Sequence, residues 1–372
     1  MRRVVGVDTA RGLAVLGMIT AHVGPDDAWR TTPPGGWSQL ADGRPSALFV
    51  LLAGVGLALL SGGDRPVEGT RMVQARLRVL VRAALLVVLG SALVLLDLPI
   101  VIILVVYGAL FAAGTVVLAW PRWALVVAAV VVGVLGPVLR VELVEHVTVV
   151  DARPIDLPSV LLGHYYPAVV WFAYVLVGLA VGRSDLRSGR THAWLAALGA
   201  SLVVAGHGGA WAMRLALGRV TELTTAEPHA SSPFELAGNT GTGLLVLAAC
   251  LAIGVRLPRV LAPLSATGAL ALTAYTAHLV AIAALGAQVV YEQTTRTWLT
   301  FLLVTLAACW AWRATLGRGP LELALHVVSV RAADVAPDAL PPARQPLAAP
   351  SGAAPRPASD PAADDDAPRP TP

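Results

Sequence analysis

The chain reads as an all-α, polytopic integral membrane bundle of about ten transmembrane helices. Three observations predict it. Hydrophobic residues make up 56% of the 372 and charged residues 13%, roughly half the ~25% charge of an ordinary soluble domain. The apolar residues gather in runs of about 20, the length that crosses a ~30 Å hydrocarbon core. All 27 basic residues are arginine, and they concentrate in the short connections between runs, where they set orientation.

Taken in order, the runs fall near residues 7–24, 45–61, 77–96, 99–119, 122–139, 160–182, 191–213, 233–255, 260–288 and 297–316. The first follows Met1-Arg2-Arg3, the start of a secretory signal, but Asp8 and Arg11 interrupt what would be its apolar stretch, so a retained helix is expected. Asp97-Leu98-Pro99 joins the third and fourth runs by a tight turn. Trp120-Pro121-Arg122-Trp123 makes the next, with aromatics at interface level. From about 331 the chain turns Ala/Pro/Asp-rich and cannot build a core. The expected organisation is a transmembrane domain over 1–330 and a disordered cytoplasmic tail over 331–372.

With the N-terminus cytoplasmic, inside connections hold about twice as many arginines as outside ones, which also places the C-terminus inside. The longer outside loops are then 24–44, 140–159 and 214–232. The net charge of +4 follows from this arginine topology and does not indicate nucleic-acid binding. Cys250 and Cys309 lie within apolar runs and imply neither disulfide nor metal. Metal-ligand spacings, a phosphate-binding glycine loop and a Gly-x-Ser-x-Gly elbow do not occur.

The first helix is the informative one. An ionisable group at the bilayer centre costs about 2.5–3.5 kcal/mol on insertion scales. At 100° per residue, Asp8, Arg11 and His22 lie within about 60° of one another, and Asp8 and His22 are about 20 Å apart along the axis. Such a stripe predicts a wet path through the membrane: a carboxylate–guanidinium pair at the inner end and an imidazole at the outer. Further polar residues collect in the outer half: His164-Tyr165-Tyr166, His207 with Trp211 and Arg214, His229, Glu235 with Asn239 and Thr242 one and two turns on, and His278 just past Tyr275. For each the bland alternative is an interfacial anchor or a hydrogen bond between helices.

The run Val7-Asp8-Thr9-Ala10-Arg11-Gly12-Leu13-Ala14-Val15-Leu16-Gly17-Met18 resembles the opening of the heparan-α-glucosaminide N-acetyltransferase family and its bacterial YeiB-like relatives. Trp37, Asp42, Leu48-Phe49 and Gly54 are similar to the family's second segment. Tyr166 to Trp171, Gly178 to Arg183, Gly268 to Tyr275 and Arg318-Gly319-Pro320-Leu321-Glu322 are YeiB-like. The resemblance spans about residues 4–326. It implies a multi-pass acyltransferase of the bacterial cytoplasmic (inner) membrane. Such enzymes take an acyl group, usually acetyl, from cytosolic acyl-CoA to a sugar or glycan amine or hydroxyl outside. In the eukaryotic branch a histidine in the loop before the Trp is tied to catalysis. Here Pro34-Gly35-Gly36 precede Trp37 instead.

The expected assignment is therefore His22 as general base, with Asp42 orienting it or the acceptor. Asp8 and Arg11 form an inner gate, and Arg78, Arg82 and Arg183 offer charge to CoA phosphates. His207, Glu235, Asn239 and His278 bind the acceptor. Acetyl-CoA is the co-substrate and no metal is called for. The partners expected are the bilayer and a sugar or glycan acceptor, with a homodimer open. A transporter or channel is the rival reading, since permeation paths also carry polar stripes. A non-catalytic envelope scaffold is a third.

Overall fold

The computed structural model describes residues 4–25, 41–150 and 155–335. The expected tail from residue 336 on and the loop carrying Arg30, Pro33 to Gly36 and Trp37 lie outside the described residues, whereas the tail's first two residues, Arg331 and Ala332, end the last described helix. The described chain is helical with no strand, as the apolar runs predict. Its helices are α1 (Val5–Val23), α2 (Arg44–Leu60), α3 (Gly69–Val94), α4 (Leu104–Val117), α5 (Arg122–Val144), α6 (Leu157–Leu162), α7 (Ala168–Gly182), α8 (Gly189–Val203), α9 (Gly209–Leu217), α10 (Pro233–Arg256), α11 (Ala262–Ala269), α12 (Ala271–Leu285), α13 (Gln288–Tyr291), α14 (Thr295–Thr315) and α15 (Pro320–Ala332). A π-helical turn, Val204–Gly208, runs α8 into α9.

The count of spans departs from expectation. Among the described residues, five helical stretches are long and apolar enough to cross a membrane: α3, α5, α8–α9, α10 and α14, with the bent pair α11–α12 as a sixth. By length and composition alone, ten crossings are not confirmed. Helices α2, α4 and α7 have 17, 14 and 15 residues, about 21–26 Å at 1.5 Å per residue, short of the ~30 Å core. They are also interior, and α2 and α7 still lead from connections expected outside (41–46, 165–166) to ones expected inside (59–64, 182–187). Nearly every residue of α2 and α7 is buried, whereas the best apolar window of α14 is 11% buried and that of α5 28%. Long α5 and α14 are thus peripheral, whereas α10, of similar length, is 61% buried over its best window and packs in the centre with α2 and α7.

Close backbone approach holds the centre. A methyl group on Gly178 of α7 would stand 1.9 Å from the Leu51 carbonyl oxygen of α2. One on Gly268 of α11 would stand 1.8 Å from that of Asp8 in α1. Glycine at each crossing lets the helices pack backbone to backbone, as small residues do in membranes.

The run 260–288, expected as one span, is broken at Leu270, where α11 and α12 meet at 83°. A break exposes the first amides of the second helix. Glu322 of α15 supplies their acceptor: Oε1 accepts from Leu272 N (2.8 Å) and Thr273 N (3.0 Å), and Oε2 from Thr273 Oγ1 (2.6 Å). A carboxylate at a helix N-terminus is also favoured by the helix dipole.

Arg183, expected on the CoA path, is placed otherwise. It caps α7, and its guanidinium donates to the carbonyls of Gly63 (2.7 Å), Ala58 (3.4 Å) and Leu118 and to Ser61 Oγ (3.0 Å). Those acceptors lie at the ends of α2 and α4, where carbonyls lack intrahelical partners. Arg183 is a tie between chain ends.

Candidate functional site

The two ends of α1 border two different cavities. At its C-terminal end, α12 brings His278 to His22, with His22 Nδ1 3.0 Å from His278 Nε2. The rings are stacked with centroids 5.2 Å apart. Their protonation follows from the acceptors around them. His278 Nδ1 lies 3.3 Å from the Ala274 carbonyl one turn back. A carbonyl only accepts, so Nδ1 of a neutral His278 carries the proton and its Nε2 is an acceptor. His22 Nδ1 then donates to that Nε2, and the lone pair of His22 is left on its own Nε2. One backbone carbonyl thus orders both tautomers and makes His22 Nε2 the basic atom of the pair.

His22 lines a cavity of 190 Å³ together with Asp42, Ser46, Tyr165, Tyr166 and His229. Asp42, expected to orient base or acceptor, lines the same cavity. The tyrosines, expected as interfacial anchors, form its aromatic wall: Tyr166 packs edge-on to Trp171 with centroids 4.9 Å apart, and Tyr165 and Tyr166 both pack edge-on to His229.

Glu235 and Asn239, expected to bind the acceptor directly, have a different task. Ser232 caps α10, with Ser232 Oγ accepting from Glu235 N (3.0 Å). The sequence Ser232-Pro233-Phe234-Glu235 is thus a capping box, in which the glutamate reaches back to the preceding backbone. Here it reaches further than usual. Glu235 Oε1 accepts from His229 N (2.8 Å) and Asn239 Nδ2 (3.1 Å), and Oε2 accepts from Ser231 N (2.6 Å). The carboxylate is 3% exposed and grips the loop before α10, so neither residue lines the cavity. His207 lies in the π turn against Gly238 of α10, likewise outside the cavity lining.

His229 was not among the expected site residues. Its imidazole is half-buried, and burial first, then His164, hold it below its ordinary value against the Tyr165 carbonyl. It is therefore neutral near pH 7.

At the other end of α1 lies a cavity of 810 Å³. Asp8 and Arg11 line it, paired at 3.2 Å, and so do Arg82, Arg187, Arg313, Arg318, Glu322 and His326. Arg82 is anchored from Nε to Ser329 Oγ at 3.3 Å. Burial first, then Arg318, Arg82 and Arg78, lower the His326 imidazole from its ordinary value, the sign of a positive field. Arg78 contributes to that field, though the cavity lining itself does not include it.

The continuous wet path expected along α1 is not what the described residues form. Between Arg11 and His22 the same stripe carries Val15, 0% exposed, and Met18, 2% exposed. The cavity linings share no residue. The inner lining draws on connections expected inside (59–64, 182–187, 313–326), the outer on connections expected outside (41–46, 99–101, 165–166, 229). The arrangement offers a histidine base lining one cavity and, beyond an apolar stretch of α1, a larger cavity lined by five arginines and by the carboxylates of Asp8, Asp64, Asp185 and Glu322.

Compared with known families, residues 3–210 match the model for the heparan-alpha-glucosaminide N-acetyltransferase catalytic domain. No curated protein matches the chain.

Proposed function

Because the chain belongs to the heparan-alpha-glucosaminide N-acetyltransferase catalytic family, and so to a family of membrane acetyltransferases, we propose that it moves an acetyl group from acetyl-CoA at the inner cavity to an amine or hydroxyl of a sugar acceptor at the outer one. The observation that carries this reading is the ordered His22–His278 pair, which leaves His22 Nε2 as a base at the outer cavity. In the same reading the protein sits in the bacterial cytoplasmic (inner) membrane with both termini cytoplasmic, which the arginine distribution supports.

His22 Nε2 takes the proton from the acceptor N–H or O–H as that atom attacks the thioester carbonyl. The tetrahedral centre collapses, the C–S bond breaks, and the CoA sulfur leaves with the electron pair. His22 returns the proton to that sulfur, so acceptor and acetyl-CoA become acetylated acceptor and CoA thiol. The imidazolium formed in between keeps its Nδ1–H on His278 Nε2. His278 positions the base as a triad's third member does, without carrying charge itself.

The arginines of the inner cavity, alongside the carboxylates of Asp8, Asp64, Asp185 and Glu322, support the donor assignment. Five guanidiniums, those of Arg11, Arg82, Arg187, Arg313 and Arg318, line that cavity, and guanidinium forks bind phosphate oxygens bidentately. About 16 Å of helix separates Arg11 from His22 at 1.5 Å per residue, so the transfer requires the apolar stretch at Val15 and Met18 to open for the flexible arm of the donor. The broken helix α11–α12 is a feature transporters share, but Glu322 already occupies its exposed amides, which favours the transferase.

Purified full-length protein in detergent, given acetyl-CoA labelled in the acetyl group with glucosamine as acceptor, tests this. Label should move to glucosamine in wild type and fail to do so in His22→Ala. Thioester left intact by the wild type would contradict it.

A further inference from the structure

We propose that His229 contacts the acceptor in the outer cavity and that Glu235 is the residue that positions it. This rests on the reading of the outer cavity as the acceptor site. The loop that carries His229 is held in a conformation most side chains avoid: His229 has φ 63° and Ser231 φ 52°, both in the left-handed region. Such strain persists where its surroundings enforce it, and it collects at functional sites. The enforcing group is Glu235. Its buried carboxylate takes the amides of both strained residues, at 2.8 Å and 2.6 Å, and Asn239 braces it at 3.1 Å.

A capping glutamate normally needs only the cap residue's own amide. Reaching back to positions 229 and 231 serves the loop rather than the helix. The result is an imidazole fixed on three sides. His229 Nδ1 donates to the Tyr165 carbonyl at 3.3 Å, and its ring packs edge-on to Tyr165 and Tyr166 at 5.2 and 5.7 Å. Since Nδ1 holds the proton, Nε2 is an acceptor. The cavity then presents two imidazole acceptor atoms of different function. His22 takes the reacting proton, and His229 accepts a hydrogen bond from a second N–H or O–H of the same molecule. The acceptor must carry that second donor, as a polyol or amino alcohol does and a simple alcohol does not. His229 thus sets specificity, and Glu235 acts through it.

The test is steady-state kinetics of the full-length protein with labelled acetyl-CoA and glucosamine, in wild type, His229→Phe, Glu235→Gln and the double variant. Losing one hydrogen bond of about 1.4 kcal/mol corresponds to about tenfold. KM for glucosamine should rise about tenfold in His229→Phe with KM for acetyl-CoA within twofold. Glu235→Gln should move the same constant in the same direction, and the double variant should be no worse than the worse single one, the mark of two residues acting as a unit. Should Glu235→Gln fail to fold, His229→Phe carries the test alone. A glucosamine KM within twofold of wild type in His229→Phe, equal changes in both KM values, or additive effects in the double variant would overturn the proposal. If wild type acetylates glucosamine while these results appear, only the role of His229 falls. If wild type acetylates nothing, the transferase reading falls with it.

Discussion

At the scale of single residues, the proposed chemistry turns on two imidazoles 256 positions apart in sequence. Each was legible alone, because an ionisable ring in an apolar helix needs a reason. Their meeting was not, since nothing local in α1 or α12 specifies which neighbour the other helix presents. Removing the base should cost about 10²–10⁴ in turnover, so His22→Ala should fall by that range in acetyl transfer with melting temperature near wild type. His278→Ala should lose less, because it removes only the orientation of His22. Glu235 shows the opposite failure. Its position in a helix pointed to a cavity, while the Ser232-x-x-Glu235 spacing, visible in the sequence, shows a carboxylate committed to backbone amides. Burial lowers the His229 imidazole, so on acidification the unfolded chain binds that proton first. Stability should therefore decline as pH falls through about 6.5, and the decline should end once the folded ring titrates too. His229→Phe should flatten that part of the curve in melting scans from pH 7.5 to 5.

Among the elements, the sequence located most helices closely and misjudged what ends or breaks them. The runs at 7–24, 45–61, 233–255 and 297–316 correspond within a few residues to α1, α2, α10 and α14. The unbroken apolar run 260–288 hid the bend at Leu270, because what stabilises the exposed amides there is Glu322, about 50 positions away. Glu322→Ala should leave two amides and the Thr273 hydroxyl without that acceptor, at about 1–3 kcal/mol for an unsatisfied buried donor. It should lower the melting temperature, and Glu322→Gln should recover part of the loss. The α1–α11 crossing is stricter. At Gly268 even a methyl meets the Asp8 carbonyl, so Gly268→Leu should cost about 3 kcal/mol or more as overpacking and should show as low yield of folded protein. Gly189, with nothing within 4 Å of an added methyl, should accept alanine with no loss.

For the molecule as a whole, composition was enough to predict a helical membrane bundle, but the length of an apolar run overstated the length of the helix inside it. Five or six stretches reach full spanning length where ten runs were counted, since runs such as 99–119 and 160–182 form helices of only 14 and 15 residues. The connections that the arginine distribution assigns to one side line one cavity, and those it assigns to the other side line the second. The central claim is that these two cavities serve one reaction, donor on one face and acceptor on the other. The direct measurement uses proteoliposomes of one orientation, with labelled acetyl-CoA confined to the face bearing Arg82 and Arg313 and glucosamine confined to the other. Acetylated glucosamine should accumulate on the glucosamine side in wild type and not in His22→Ala. Product formed only when both substrates share one side would contradict the account.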